Sequence, residues 1–120
     1  MTKVLIVDDS PTVLQLLRAD LEKAGFTVVT HGRALGTLVT VMREHPDVIL
    51  LDVAMPALSG DEVCKLIKND QADARRLIFF YSSLDEEILK RKVLEAGADG
   101  YIHKNWGPAQ VVQAIRSKLN

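Results

Sequence analysis

The chain is short of the features that would place a protein in an unusual setting. Its single cysteine, Cys64, cannot form an internal disulfide, and a lone thiol without cysteine or histidine at ligand spacing is no zinc site. A reducing, cytoplasmic environment fits that usage. Charge of one sign is not in excess: 15 Lys and Arg face 16 Asp and Glu, for a net charge of −1. With no basic run either, nucleic acid and anionic membrane are set aside as direct partners. Long apolar runs are missing too. Val4 to Val7 is cut off by Asp8, far short of a signal-peptide core or the roughly 20 residues of a membrane span. What is present is ordinary globular composition, 48% hydrophobic and 26% charged over 120 residues, with no low-complexity stretch. That length suits one domain, residues 1–120, with no room for a second. Function is therefore expected in a local site.

Short apolar runs alternate with helix-period segments five times. Val4 to Val7, Val48 to Leu51 and Leu77 to Tyr81 are continuous apolar runs, as expected for central parallel strands covered on both faces. Phe26 to Thr30, with two threonines, and the brief Gly100 to Ile102 read as edge strands. Ser10 followed by Pro11 opens a helix carrying Val13, Leu14, Leu17 and Leu21 on one face, and Gly25 ends it. Leu35, Leu38, Val39 and Met42 repeat the spacing before Pro46. Ser59 with Glu62, and Ser83 with Glu86, read as capping boxes, so helices are expected to start near 60 and 84. The later helix offers Glu86 with Lys90 and Glu87 with Arg91 as i,i+4 ion pairs, and a final helix near Pro108 is expected to bury Val111, Val112, Ile115 and Leu119. Five parallel strands with right-handed crossovers make an α/β, doubly wound (βα)5 three-layer sandwich. Two edge and three central strands give the order 2-1-3-4-5, the flavodoxin-like arrangement. Such sheets bind ligands beyond the carboxyl ends of the strands where the walk across the sheet reverses, here between strands one and three.

That place is populated. Strand one runs into Asp8 and Asp9, strand three into Asp52, strand four ends at Ser82 and Ser83, and strand five at His103 and Lys104. Singly, each has an ordinary use: helix starts, a turn before Pro56, a cap, a solvated lysine. Jointly they do not, because capping explains neither the extra Asp8 nor a lysine facing carboxylates. Carboxylates a few ångströms apart repel by several kcal/mol per pair at an effective dielectric of about 20. Oxygen-only ligands suit a hard divalent ion such as Mg²⁺. A carboxylate, Mg²⁺, a lysine and a hydroxyl match the needs of phosphoryl transfer, in which charge on the moving group must be neutralised. The acceptor would be a carboxylate nucleophile.

These residues resemble the receiver domains of two-component response regulators, the CheY-like family, in its single-domain form. The likeness rests on Asp8-Asp9, Asp52 followed by Met55-Pro56, Gly60, Ser82, the run Gly97-Ala98-Asp99-Gly100-Tyr101, and Lys104, and it spans essentially the whole chain. The resemblance implies that Asp52 accepts a phosphoryl group from a histidine kinase or phosphotransfer protein. It implies Mg²⁺ held by Asp9 and Asp52, by Asp8 mainly through water, and by the Ala54 carbonyl. Lys104 would pair with a phosphoryl oxygen, Ser82 would move to another, and Tyr101 would be the switch aromatic. The face of helix four, strand five and helix five would then change its binding of a downstream effector. Such a module catalyses only its own phosphorylation and dephosphorylation.

One departure from the family pattern is Asn105, where a proline joined by a cis peptide is usual. Without proline a cis bond costs about 2.5–4 kcal/mol, so either that strain is held or the peptide is trans and the loop differs. Trp106 beside it reads as packing or as a contact near the site. Cys64 reads as a buried helix residue, and His31, His45 and His103 are too scattered for a metal site, His103 merely flanking the lysine. Two other readings share the pattern. A flavin-binding electron carrier would want a Ser-, Thr- and Gly-rich phosphate loop where Asp8-Asp9 stands. A Mg²⁺-dependent aspartyl phosphatase would want an Asp-x-Asp pair there. With the last helix ending near Leu119, output is expected to pass through another protein.

Overall fold

A computed structural model of the chain describes residues 1–54, 60–69 and 76–119, the side chains of Gly60 and Asp61 excepted. Met55-Pro56 and the Ser59 half of the first capping box lie outside the described residues. Strands β1 (Lys3–Val7), β2 (Thr27–His31), β3 (Val48–Leu51), β4 (Leu77–Ser82) and β5 (Gly100–His103) alternate with helices α1 (Pro11–Lys23), α2 (Thr37–Glu44), α3 (Gly60–Asn69), α4 (Glu86–Ala96) and α5 (Pro108–Leu119). The sheet is parallel throughout, in the order β2-β1-β3-β4-β5. The three apolar runs are the central strands. β1 and β3 are buried from Val4 to Val7 and from Val48 to Leu51 because helices cover both faces.

Period-two alternation splits the core into two layers. Leu5, Val7, Ile49, Leu51, Ile78 and Phe80 face α2, α3 and α4, which contribute Val41, Val63, Cys64, Ile67 and Leu89. Val4, Ile6, Val48, Leu50, Phe79 and Tyr81 face α1 and α5, which contribute Leu17, Leu21, Val111 and Ile115. Adjacent strand residues thus feed opposite layers, the reason no polar residue interrupts these runs. Among the described residues no helix is long and apolar enough to cross a membrane.

Three local expectations are corrected. In α2 it is Thr37, Thr40 and Val41 that are buried, whereas Leu35, Val39 and Met42 are 62%, 64% and 53% exposed. The threonines can turn inward because their hydroxyls are satisfied locally: Thr37 Oγ1 donates to Ala34 O at 2.7 Å, and Thr40 Oγ1 lies 3.3 Å from His31 Nδ1. Helix α4 begins at Glu86, capped by Asp85, whose Oδ1 accepts from Glu87 N at 2.9 Å. The expected Ser83–Glu86 box does not form; Ser82 Oγ accepts from Leu84 N instead, making a turn of the segment that precedes the helix. Glu87 pairs with Lys90 at i,i+3, and the Glu86 carboxylate accepts the Tyr101 hydroxyl. Finally, Leu119 is exposed rather than buried, since α5 packs on the sheet through Val111 and Ile115.

Candidate functional site

Strand register builds the site. Val7 pairs with Leu51 across β1 and β3, so the next residues, Asp8 and Asp52, emerge side by side at the carboxyl edge. The Asp52 N–H donates to Val7 O at 2.9 Å and continues the ladder one residue further. Ser82 pairs with His103 across β4 and β5, and the Lys104 N–H donates to Ser82 O at 2.9 Å, which places Lys104 at the same edge. Asp8 is fully buried, Asp52 is 4% exposed and Asp9 is exposed. Carboxylate oxygens of the three lie within 4.8 Å of one another.

Each buried carboxylate has one oxygen committed to the backbone and one facing the lysine. Asp8 Oδ1 accepts from Ser10 N at 2.9 Å, and Asp52 Oδ1 accepts from Ala54 N at the same distance. Lys104 Nζ lies 2.8 Å from Asp8 Oδ2 and 3.4 Å from Asp52 Oδ2. Asp8 Oδ2 is buried with no hydrogen-bond-aligned donor beyond that charge contact. Lys104 also stands 5.4 Å from the centroid of the Tyr81 ring. The peptides are trans throughout the described residues, so the Lys104–Asn105 bond follows the trans alternative, and Lys104 reaches the carboxylates all the same.

Burial pushes the Asp52 carboxyl above its ordinary range, against the Ala54 N–H and the Lys104 charge, which favour ionisation; the Asp8 charge adds to the upward shift. Lys104 is held above the usual lysine range: burial works against its charge, and the contacts with Asp8 and Asp52 outweigh it. Because the folded Asp52 binds its proton more tightly than the unfolded chain does, ionising it costs stability. That cost is absent below the unfolded carboxylate range and complete above the raised folded value. Asp52→Asn keeps an oxygen for the Ala54 N–H and leaves Lys104 its Asp8 partner. The variant is therefore expected to melt at a higher temperature than wild type at neutral pH without divalent ions, with the gap closing as pH falls toward 4. Melting curves over that pH range check this.

Of the remaining expected residues, Ser82 is buried at the edge with its Oγ engaged by Leu84 N at 3.1 Å. Ala54 follows Asp52 and is exposed. Tyr101 stands apart from the carboxylates: its hydroxyl donates to Glu86 Oε1 at 2.7 Å, which holds the phenol above its normal range, and its ring lies 5.8 Å from that of Trp106. Trp106, with Lys104 and Tyr81, lines a crevice of about 250 Å³ closed by Val13 and Leu17 of α1. Cys64 is buried on α3. The Glu86 partner of Tyr101 and the His103 ring, whose Nδ1 accepts from the Asn105 N–H at 3.0 Å, have no counterpart in the expectations from sequence. Only the Asn105 N–H, two residues after a side chain with an acceptor at its δ position, could have drawn attention to His103.

The donor set fits a hard cation. Three carboxylates converge, two of them on one ammonium, one buried oxygen among them lacks an aligned donor, and every donor is oxygen. A carboxylate in such a place is also a nucleophile whose product charge has partners waiting.

Residues 4–116 match a family model described as response regulator receiver domain. The chain is 37% identical over 117 residues to the alkaline phosphatase synthesis transcriptional regulatory protein PhoP of Bacillus subtilis, covering 98% of this chain and 48% of that protein. It is 32% identical to protein PilG of Pseudomonas aeruginosa, covering 98% of this chain and 87% of that one. Among solved structures, the BeF3-activated N-terminal receiver domain of Klebsiella pneumoniae RstA superposes with a TM-score of 0.90 at 31% identity over 99% of both chains. The chemotaxis response regulator CheY4 of Vibrio cholerae gives 0.90 at 27% identity over 98% of both. The chain thus spans about half the length of PhoP and most of the length of PilG.

Proposed function

This chain belongs to the response regulator receiver domain family, the phosphoacceptor switch of two-component signalling, and from that premise we propose that Asp52 is the residue that takes the phosphoryl group. The observation that carries the assignment is the position of Asp52. It is the buried carboxylate at the end of central strand β3, with Lys104 3.4 Å away and Asp8 and Asp9 in reach. An Asp52 oxygen attacks phosphorus, the N–P bond of a phosphohistidine donor breaks, and the nitrogen keeps the electron pair and takes up a proton. The chain catalyses only this transfer and the later hydrolysis, in which water attacks phosphorus, the Asp52 O–P bond breaks and inorganic phosphate leaves. The unit is the domain of residues 1–120, acting in the cytoplasm, a setting with which a lone buried cysteine, Cys64, agrees.

Mg²⁺ is the ion that the oxygen donors favour, with Asp8, Asp9, Asp52 and the Ala54 carbonyl as the residues that would hold it. When bound, it supplies positive charge to the phosphoryl oxygens. The chain's own residues do the rest. Lys104 exchanges its contact with Asp52 for one with a phosphoryl oxygen. Ser82 gives up the Leu84 N–H and turns its hydroxyl toward another, which requires the β4–α4 turn to shift. Tyr101 and Glu86 lie on the next elements, so that shift reaches the face of α4, β5 and α5, where Leu94, two turns beyond Glu86 on α4, is an exposed apolar residue available to a downstream effector. The donor is a histidine kinase or phosphotransfer protein.

The test is labelling of the purified chain by acetyl phosphate with Mg²⁺. One alkali-labile phosphoryl group per chain, mapped to the peptide containing Asp52, is expected. An unlabelled chain, or a label on another residue, rejects the assignment.

A further inference from the structure

The loop that carries Lys104 is closed by its neighbour. The Asn105 N–H donates to His103 Nδ1 at 3.0 Å, and the Trp106 N–H donates to His103 O at 3.0 Å. With the Lys104 N–H on Ser82 O at 2.9 Å, each of the three amides after β5 has an acceptor, and His103 provides two of them. Its own place is set by pairing with Ser82 in the sheet. The ring acceptor is as many bonds from Cα as the side-chain oxygen of asparagine. A bond from it to the N–H two residues on is therefore an Asx-type turn made by histidine. Because Asn105 brings a backbone N–H that a proline would lack, this loop contains a donor that needs a partner, and the ring supplies one. Nδ1 accepts only when it is unprotonated, which puts the ring proton on Nε2.

We propose that His103 is a positioning residue for Lys104: its ring acts as the acceptor of an Asx-type turn that holds the trans Lys104–Asn105 peptide where the ammonium meets Asp8 and Asp52. His103 touches neither the carboxylates nor the incoming group. It acts through the direction in which the chain leaves β5. Removing one such hydrogen bond lowers the ratio of held to open loop by about fivefold, and labelling should slow by up to that factor. The inference rests on the phosphoacceptor reading of Asp52.

The experiment compares wild type, His103→Ala and His103→Asn in the initial rate of acetyl phosphate labelling with Mg²⁺. It also follows hydrogen exchange of the Asn105 amide by NMR. His103→Ala should label more slowly, by up to about fivefold, and exchange that amide about fivefold faster. His103→Asn, which restores the acceptor without the ring, should return both within about twofold of wild type. A general loss of stability would not be rescued by asparagine, so the rescue separates positioning from folding. Equal rates in wild type and His103→Ala overturn the role of His103, as does an asparagine variant as slow as alanine. A wild-type chain that takes no label overturns the phosphoacceptor reading and the positioning role with it, whereas a labelled wild type with indifferent variants overturns the positioning role alone.

Discussion

Asp52→Asn should take no label from acetyl phosphate, a fall of at least about a thousandfold that leaves only background, as removal of a catalytic nucleophile does elsewhere. The amide matches the carboxylate in shape and keeps an oxygen for the Ala54 N–H. The local fold therefore survives, and the loss reports chemistry. An amide oxygen carries no charge to attack phosphorus, and its nitrogen is no nucleophile. Asp8 and Asp9 remain ionisable beside it, which makes the variant a strict control. If mass spectrometry finds undiminished phosphoryl incorporation, or finds it moved to Asp8 or Asp9, then Asp52 is not the acceptor. The higher melting temperature expected of the same variant supplies the opposite sign. One substitution should strengthen the fold and end the chemistry, the pattern of a charge retained for use at a cost in stability.

Chelation of divalent ions should stop labelling in wild type almost as completely, and Mg²⁺ should restore it. Three carboxylates cluster while one ammonium contacts two of them, and Lys104 Nζ is nearer Asp8 than Asp52. The lysine alone cannot offset the charge that a phosphoryl group adds. Asp9→Asn removes the exposed member of the cluster without disturbing a buried contact, so it should weaken Mg²⁺ binding by at least about tenfold while the chain stays folded. Titration of Mg²⁺ followed by calorimetry reads that change directly. Labelling that continues at full rate in excess chelator would remove the cation from the account, and unchanged Mg²⁺ affinity in Asp9→Asn would remove Asp9 from its ligands.

The sheet and its acidic edge were legible in the sequence because both rest on contrasts that survive in one dimension. Apolar runs from Val4 to Val7 and from Val48 to Leu51 stop abruptly at aspartates, and parallel register then aligns the stops. The face of α2 was not legible. Thr37 and Thr40 count as polar in a periodicity argument, yet their hydroxyls find acceptors near at hand and the methyl groups go inward. The start of α4 was misplaced for a related reason. Ser83 and Asp85 are both capable caps, and the choice fell to Asp85 once Ser82 had taken the Leu84 N–H. At the site, the carboxylates and Lys104 were found from strand ends alone. Asn105 in the usual proline position left the peptide after Lys104 open between cis and trans, whereas the Glu86 partner of Tyr101 and the ring of His103 depend on loop geometry that no residue pattern announces.

The outward face of α2 also bears on how the protein behaves in a crowded solution. Leu35, Val39 and Met42 of this segment and Leu66 of α3 are all about half exposed or more, and exposed apolar side chains on neighbouring elements are the surface through which copies can attract one another. Colloidal repulsion normally keeps such surfaces apart, but this chain has a net charge of −1 and an isoelectric point near 6.3. Around that pH its solubility rests on hydration of its polar faces alone, and attraction between copies is at its strongest where electrostatic protection vanishes.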